Sequence, residues 1–200
     1  MPRSALSEVE VEDFRNRIIE AATGLFAARG YDAVTMRAIA AGVGKSPMTP
    51  YRYFANKDEI FAAVRAEAYR RFADTQRGAF ERSNHPVKRL LQLHEAYLDF
   101  ALAESNAYRV MFQLDQPAAD PSSAVGEQSG RAFSYLRDAV QKAVEADYLA
   151  GDPLTVAHLL WAQVHGLIAL HLAGKLNLGR TLDALRAAPA PLFKSPASKE

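Results

Sequence analysis

The chain has 200 residues, 49% of them hydrophobic and 24% charged, which places it among folded globular proteins with enough chain to bury a core. Cysteine is absent, which excludes a disulfide framework, thiolate zinc sites, iron–sulfur clusters and a cysteine nucleophile, and fits a reducing compartment, here expected to be the cytoplasm. The net charge of +1 hides a split: Phe14 to Lys57 carries seven bases and two acids, whereas Leu90 to Glu127 carries six acids and one base, Arg109.

The basic stretch is suited to an anionic partner, with a plainly solvated basic face as the alternative. Met1–Pro2–Arg3 leads into the acidic run Glu8–Val9–Glu10–Val11–Glu12–Asp13, so no secretory leader is read there. Ser7 with Glu10 forms a capping box. Phe14, Ile18, Ala21, Ala22, Leu25 and Phe26 then recur on one helical face, and Gly30 ends that helix. Thr35 caps a short helix through Ile39 and Ala40 that stops at Gly44. Ser46–Pro47 opens a further helix running to Phe54, short and distorted at its start because Pro50 lacks a donor. Asn56 with Glu59 caps the next, which carries Ile60, Phe61 and Val64 and runs past Phe72 toward Phe80.

Asn84–His85–Pro86 breaks the chain before a helix with Val87, Leu90, Leu91, His94, Leu98, Ala101 and Leu102 on one face. A shorter helix holds Tyr108, Met111, Phe112 and Leu114, and Gln116 to Gly130 reads as a loop. Phe133, Leu136, Val140 and Val144 define another helix face, and Gly151–Asp152–Pro153 breaks the chain again. Leu154 to Gly174 has no Asp, Glu, Lys or Arg and is long enough to span a bilayer. His158, Gln163, His165 and His171 lie along it, and no second candidate span accompanies it, so it is read as a bundle helix covered on more than one side. A short final helix spans about Thr181 to Ala187, and the Pro- and Lys-containing tail from Pro189 is expected to be disordered. No strand-period stretch competes, so the fold class is all-α.

Thr35 to Phe54 has the layout of a helix-turn-helix, whose second helix enters the DNA major groove while the first braces it. Between Ala33 and Lys57 lie Arg37, Lys45, Arg52 and Lys57 and no acid. Ser46 and Thr49 add hydroxyls, and Tyr51 and Tyr53 add phenols suited to phosphate oxygens. The helix beginning at Lys57 points its amides at whatever lies nearby, favouring a phosphate. The alternative for this layout is a plain three-helix packing unit.

The same residues carry a family resemblance. Ile18–Ile19–Glu20–Ala21–Ala22, Leu25–Phe26, Gly30–Tyr31, Thr35, Ile39–Ala40, Gly44, Ser46 and the run Tyr51-Arg52-Tyr53-Phe54-Ala55-Asn56-Lys57-Asp58-Glu59 resemble the N-terminal DNA-binding domain of the TetR family of transcriptional regulators, over Phe14 to Val64. The resemblance implies roles for matched positions. Arg37, Pro47, Met48, Thr49, Tyr51 and Arg52 would face base edges or nearby backbone. Thr35, Ser46, Tyr53 and Lys57 would position phosphates. Phe14, Ile18, Phe26, Ile39 and Phe54 would be the head's core. Lys45 departs from the family, standing at a usually apolar turn position, and Pro50 replaces a common leucine.

Trp161, His165 and Gly166 are similar to a Trp, His-Gly motif of one C-terminal subfamily. The family implies a homodimer through a four-helix bundle, and a small-molecule cavity for which His94, Tyr97, Tyr108, Met111, Phe112, Phe133, Trp161 and His165 are the expected lining residues, each also suited to plain core. The expected organisation is therefore a DNA-binding head over residues 1–60, a helical ligand-binding and dimerisation domain over 61–188, and a tail over 189–200.

Enzyme readings fail on spacing. His94–Glu95 lacks the second histidine of HExxH, and no Glu precedes a histidine by three positions. His158 and His165 stand about 10 Å apart along a helix axis, too far for one metal. No phosphate-cradling glycine loop appears, so no enzyme activity, metal or cofactor is expected. The expected function is a ligand-modulated repressor that binds a palindromic double-stranded operator as a homodimer, with no membrane partner. The alternative is a helical small-molecule carrier whose basic head is merely solvated, which predicts no salt-dependent retention on DNA.

Overall fold

A computed structural model describes residues 7–112, 120–176 and 179–186. Its α-helices are α1 (Glu8–Ala33), α2 (Met36–Gly42), α3 (Lys57–Glu81), α4 (Pro86–Ala103), α5 (Ser105–Phe112), α6 (Ala124–Glu145), α7 (Pro153–Leu172) and α8 (Leu182–Arg186), with a 3-10 turn at Pro50–Arg52. No strand occurs among the described residues. The caps expected from local sequence form. Ser7 and Glu10 close a reciprocal capping box on α1. Thr35 Oγ1 accepts from the Ala38 amide on α2 (3.2 Å) and Asn56 Oδ1 from the Glu59 amide on α3 (2.9 Å). Asp152, read from sequence only as part of a break, also acts as a cap and accepts from the Thr155 amide on α7 (2.8 Å). These contacts satisfy amides that a helix N-terminus leaves without a partner.

Three local expectations need correction. The segment Ser46 to Phe54 is not a continuous helix. It is a turn followed by the 3-10 segment, linked by Thr49 N–H to Ser46 O, Arg52 N–H to Thr49 O and Tyr53 N–H to Pro50 O. Pro50 has no amide to give the Ser46 carbonyl, so the chain takes the tighter i→i−3 pattern. Second, α6 begins at Ala124, inside the stretch read as a loop. Ser123 Oγ accepts from the Gly126 amide (3.1 Å) and so caps the helix. An added Cβ at Gly126 would lie 2.1 Å from the Asp120 carbonyl oxygen, so glycine lets the preceding turn fold over the first turn of α6. Third, after the break at Gly30 (φ +77°) the chain continues in helical geometry to Ala33. Leu114, the end of the last helix at Ala187 and the tail from Pro189 lie outside the described residues.

The described residues form two compact units. The first contains residues up to Arg71 together with Glu104–Ser129, and the second contains Phe72–Ala103 and the residues from Gly130 on. In the first, α5 and α2 both pack against α1. Its core is built from Ile18, Ala22, Phe26, Val34, Ile39, Phe54, Ile60, Val64 and, from α5, Val110. Four of the five expected head-core residues, Ile18, Phe26, Ile39 and Phe54, are buried, and Phe14 packs against them. Arg71 on α3 ties α1 and the start of α5 through Glu20 (3.8 Å) and Glu104 (2.9 Å). In the second unit, α4 packs on α7. Its core joins Leu90, Leu93 and Ala96 to Ala139, Val140 and Ala143 and to Val156 and Ala157.

Candidate nucleic-acid interface

The first unit holds a basic surface organised by two turns. At the end of α2, Gly44 adopts φ +68°. The Gly44 amide donates to Ala41 O and the Lys45 amide to Ala40 O, the two bonds of a left-handed helix stop. This stop turns the chain away from α2 with Lys45 and Ser46 exposed. The proline-bracketed turn follows. Pro50 is buried, while Pro47, Met48, Tyr51 and Arg52 are exposed. Ser46 Oγ and Thr49 Oγ1 lie 3.0 Å apart and bond to each other.

Within this surface the expected residues separate by what already holds them. Among the described residues, the side chains of Arg37, Lys45 and Arg52 have no ion-pair or hydrogen-bond partner. These cations are therefore available to an external anion. Thr35 uses its hydroxyl as the cap of α2. Tyr53 is half-buried, with its ring 4.8 Å from that of Phe14. Lys57 donates from Nζ to the Tyr31 carbonyl (3.0 Å), and its ammonium sits 4.0 Å over the Tyr31 ring. It fastens the start of α3 to the turn after Gly30, with two of its three donors left for another acceptor.

Sequence reasoning missed Arg15. Its guanidinium donates to the Tyr53 carbonyl (2.5 Å) and stacks 4.2 Å from the Phe54 ring. It anchors the far end of the recognition turn from α1, 38 positions away. No local spacing rule reaches that distance; the only hint was an arginine flanking the apolar face of α1.

The eight expected effector residues divide between the units. Tyr108, Met111 and Phe112 lie in the first. There the Tyr69 hydroxyl donates to the Met111 carbonyl (3.3 Å), and the Tyr69 and Phe112 rings meet edge to face. Burial pushes the Tyr69 phenol above its ordinary range. His94, Tyr97, Phe133, Trp161 and His165 lie in the second. There Tyr97 Oη is 3.0 Å from His165 Nδ1, and the Phe72 ring meets Tyr97 edge to face at 5.2 Å. Phe133 bridges His158 (4.7 Å) and Trp161 (5.8 Å), and Trp161 faces His165. Burial pulls the His165 imidazole below its ordinary range. It does the same to His94, opposed by Glu95 and assisted by Arg186. Neither unit brings three or more His, Asp or Glu side chains into a group able to hold a metal, among the described residues. Phe72 and His158 are additions; both fall on helical faces that sequence periodicity left unassigned.

Helix α7 is long and apolar enough to cross a membrane by length and composition alone. Within the chain it buries Val156, Ala157, Val164 and Ile168 and leaves Leu154, Leu159 and Leu170 about half exposed.

Comparison with known proteins assigns this architecture. Residues 18–64 match the family model described as bacterial regulatory proteins, tetR family, and residues 90–188 match that of the tetracyclin repressor-like C-terminal domain. The HTH-type transcriptional activator FasR of Mycolicibacterium smegmatis is 29% identical over 175 residues, covering 86% of this chain and 76% of that protein. The HTH-type transcriptional repressor KstR of Rhodococcus jostii is 29% identical over 133 residues, 64% of this chain and 62% of its own. Among solved structures, the regulator FadR of Bacillus subtilis in complex with stearoyl-CoA superposes with TM-score 0.72 at 17% identity, covering 86% of this chain and 92% of that one. The basic two-turn surface on α2 and the 3-10 segment thus occupies the matched DNA-binding region, and the chain belongs to the TetR family of helix-turn-helix transcriptional regulators.

Proposed function

We propose that this regulator is a homodimeric repressor, placing the Ser46–Phe54 turn of each protomer in a major groove of a palindromic operator and releasing it when a small molecule binds the second unit. The observation that carries the reading is the trio Arg37, Lys45 and Arg52, exposed around that turn and without partners of their own among the described residues. Thr35, Ser46, Tyr53 and Lys57 position the backbone, and Pro47, Met48, Thr49 and Tyr51 lie at the base edges. The DNA-binding head corresponds to residues 1–60 and the helical domain to 61–188. The protein acts in the cytoplasm, without catalysis.

The partner protomer covers the outer face of α7. Leu159, Ala162, Gly166 and Leu170 recur there at helical spacing, and a Cβ at Gly166 would meet nothing within 4 Å in the protomer. A second helix can therefore approach closely. The effector is an apolar molecule with a polar head, received by Tyr97, Phe133, Trp161 and His165, with His94 in the same unit. Apolar walls with few polar groups suit such a ligand, and FadR of Bacillus subtilis was solved with stearoyl-CoA. Tyr108, Met111 and Phe112 are grouped with Tyr69 within the first unit.

The test is a mobility-shift titration on duplexes selected from random sequence, with acyl thioesters then added. Trp161 is the sole tryptophan, so effector binding to the second unit changes its fluorescence. A protein that sediments as a monomer and retains no duplex at low salt overturns the reading.

A further inference from the structure

We propose that Met48 and Tyr51 read thymine methyl groups, so that each operator half-site carries A·T pairs where the recognition turn enters the groove. This rests on the DNA-binding reading above and adds which base pairs it selects.

The recognition turn offers little for hydrogen-bond readout at its tip. Pro47 and Pro50 have no amide hydrogen. One of the Ser46 and Thr49 hydroxyls donates to the other at 3.0 Å, which leaves a single hydroxyl hydrogen between them for a base edge. What the tip presents instead is apolar. Met48 is 69% exposed and Tyr51 48% exposed, and Pro47 beside them is exposed as well. Two large apolar side chains left in water at the centre of a basic surface are the group whose burial gains most on binding.

In the major groove the edges of G·C pairs present hydrogen-bonding groups, whereas thymine adds its C5-methyl, the one apolar group on display. A flexible methionine follows the position of such a methyl without demanding a fixed angle. The tyrosine ring gives a flat apolar face, with its hydroxyl free to reach a phosphate oxygen. Arg37, Lys45 and Arg52 flank this pair and have no partner of their own among the described residues. Lys45 supplies phosphate attraction that is indifferent to sequence, and the planar forks of Arg37 and Arg52 suit guanine edges, so the thymine methyls are left to the tip.

The experiment uses the full chain and the duplex that it selects from random sequence. Each thymine of the half-site is replaced singly by deoxyuridine, which removes the methyl and keeps pairing and hydrogen-bonding edges. One or two such replacements per half-site should weaken binding about fourfold, the value of one buried methyl. At each such thymine the replacement should change the affinity of at least one variant, Met48→Ala or Tyr51→Ala, by under about twofold, because in that variant the contact is already gone. Both side chains are exposed, so neither variant disturbs the head's core. A selected half-site made of G·C pairs, or one indifferent to deoxyuridine, overturns this inference and leaves DNA binding intact. So does a deoxyuridine penalty that persists in both variants. Selection of no preferred duplex overturns the DNA-binding reading together with the inference.

Discussion

Replacing Gly44 by alanine isolates the backbone geometry that ends α2 and opens the recognition turn. Gly44 sits at φ +68°, and an added Cβ would meet nothing within 4 Å. The cost is therefore conformational, with no steric clash to confuse it. Holding an alanine in the left-handed region costs on the order of 1–2 kcal/mol. Gly24 is the matched control. It lies inside α1, and its added Cβ also meets nothing within 4 Å. There alanine removes the helix penalty of glycine and should stabilise by about 0.5–1 kcal/mol. The same substitution is thus expected to have opposite signs at the two sites. Urea unfolding followed by circular dichroism at 222 nm measures both. With a slope of about 2 kcal/mol/M, Gly44→Ala lowers the midpoint by roughly 0.5–1 M while Gly24→Ala raises it by about 0.25–0.5 M. Equal midpoints for the two variants, or a rise for Gly44→Ala, would refute the argument that the left-handed stop places the turn.

Gly126→Ala should be far more damaging than either, because its Cβ falls 2.1 Å from the Asp120 carbonyl oxygen; a midpoint within experimental error of the parent would show that the turn before α6 moves freely. Lys57→Ala removes both a phosphate-facing cation and the fastening to Tyr31, so it should weaken binding to all sequences alike and flatten the salt dependence by about one counterion, whereas Arg52→Ala should alter sequence preference; mobility shifts showing the reverse pattern overturn the assignment. Leu159→Glu should yield monomers by sedimentation if α7 pairs across the two-fold axis, since a buried carboxylate without a partner is costly. Burial holds the imidazoles of His165 and His94 below the ordinary value of 6.5, so the unfolded chain takes up protons more readily. Their contribution to stability is then whole above about pH 6.5 and declines as the pH falls through the folded values. Urea midpoints that rise between pH 7.5 and 5.5 would contradict this, and His165→Gln should remove part of the decline.

Much of this protein follows from neighbours in sequence. Ser7 with Glu10, Thr35, Asn56 with Glu59, and Asp152 each cap a helix through a hydrogen bond spanning three residues, and such bonds need no tertiary context. The apolar spacing of Ile18, Ala22 and Phe26 announced the buried face of α1 for the same reason. The all-α class and the head's basic character were likewise legible, because both are sums over local residues. The start of α6 was misread because Ser, Pro and Gly near position 123 signal a loop in composition, whereas Ser123 is a cap and Gly126 a site of close backbone approach.

What tertiary structure decided are the contacts that join distant segments. Arg15 reaches Tyr53 and Phe54, Lys57 reaches Tyr31, and Tyr97 meets His165 across 68 positions. The division of the expected effector residues between two compact units belongs here as well. Periodicity says that a side chain turns inward but not which other helix it will meet, since that depends on how several apolar faces share one interior. The tight 3-10 form of the recognition turn lies between these cases. Pro50 announced a defect at its own position, and the shape taken by the chain was settled by burying that proline and Phe54 while Arg15 held the far end.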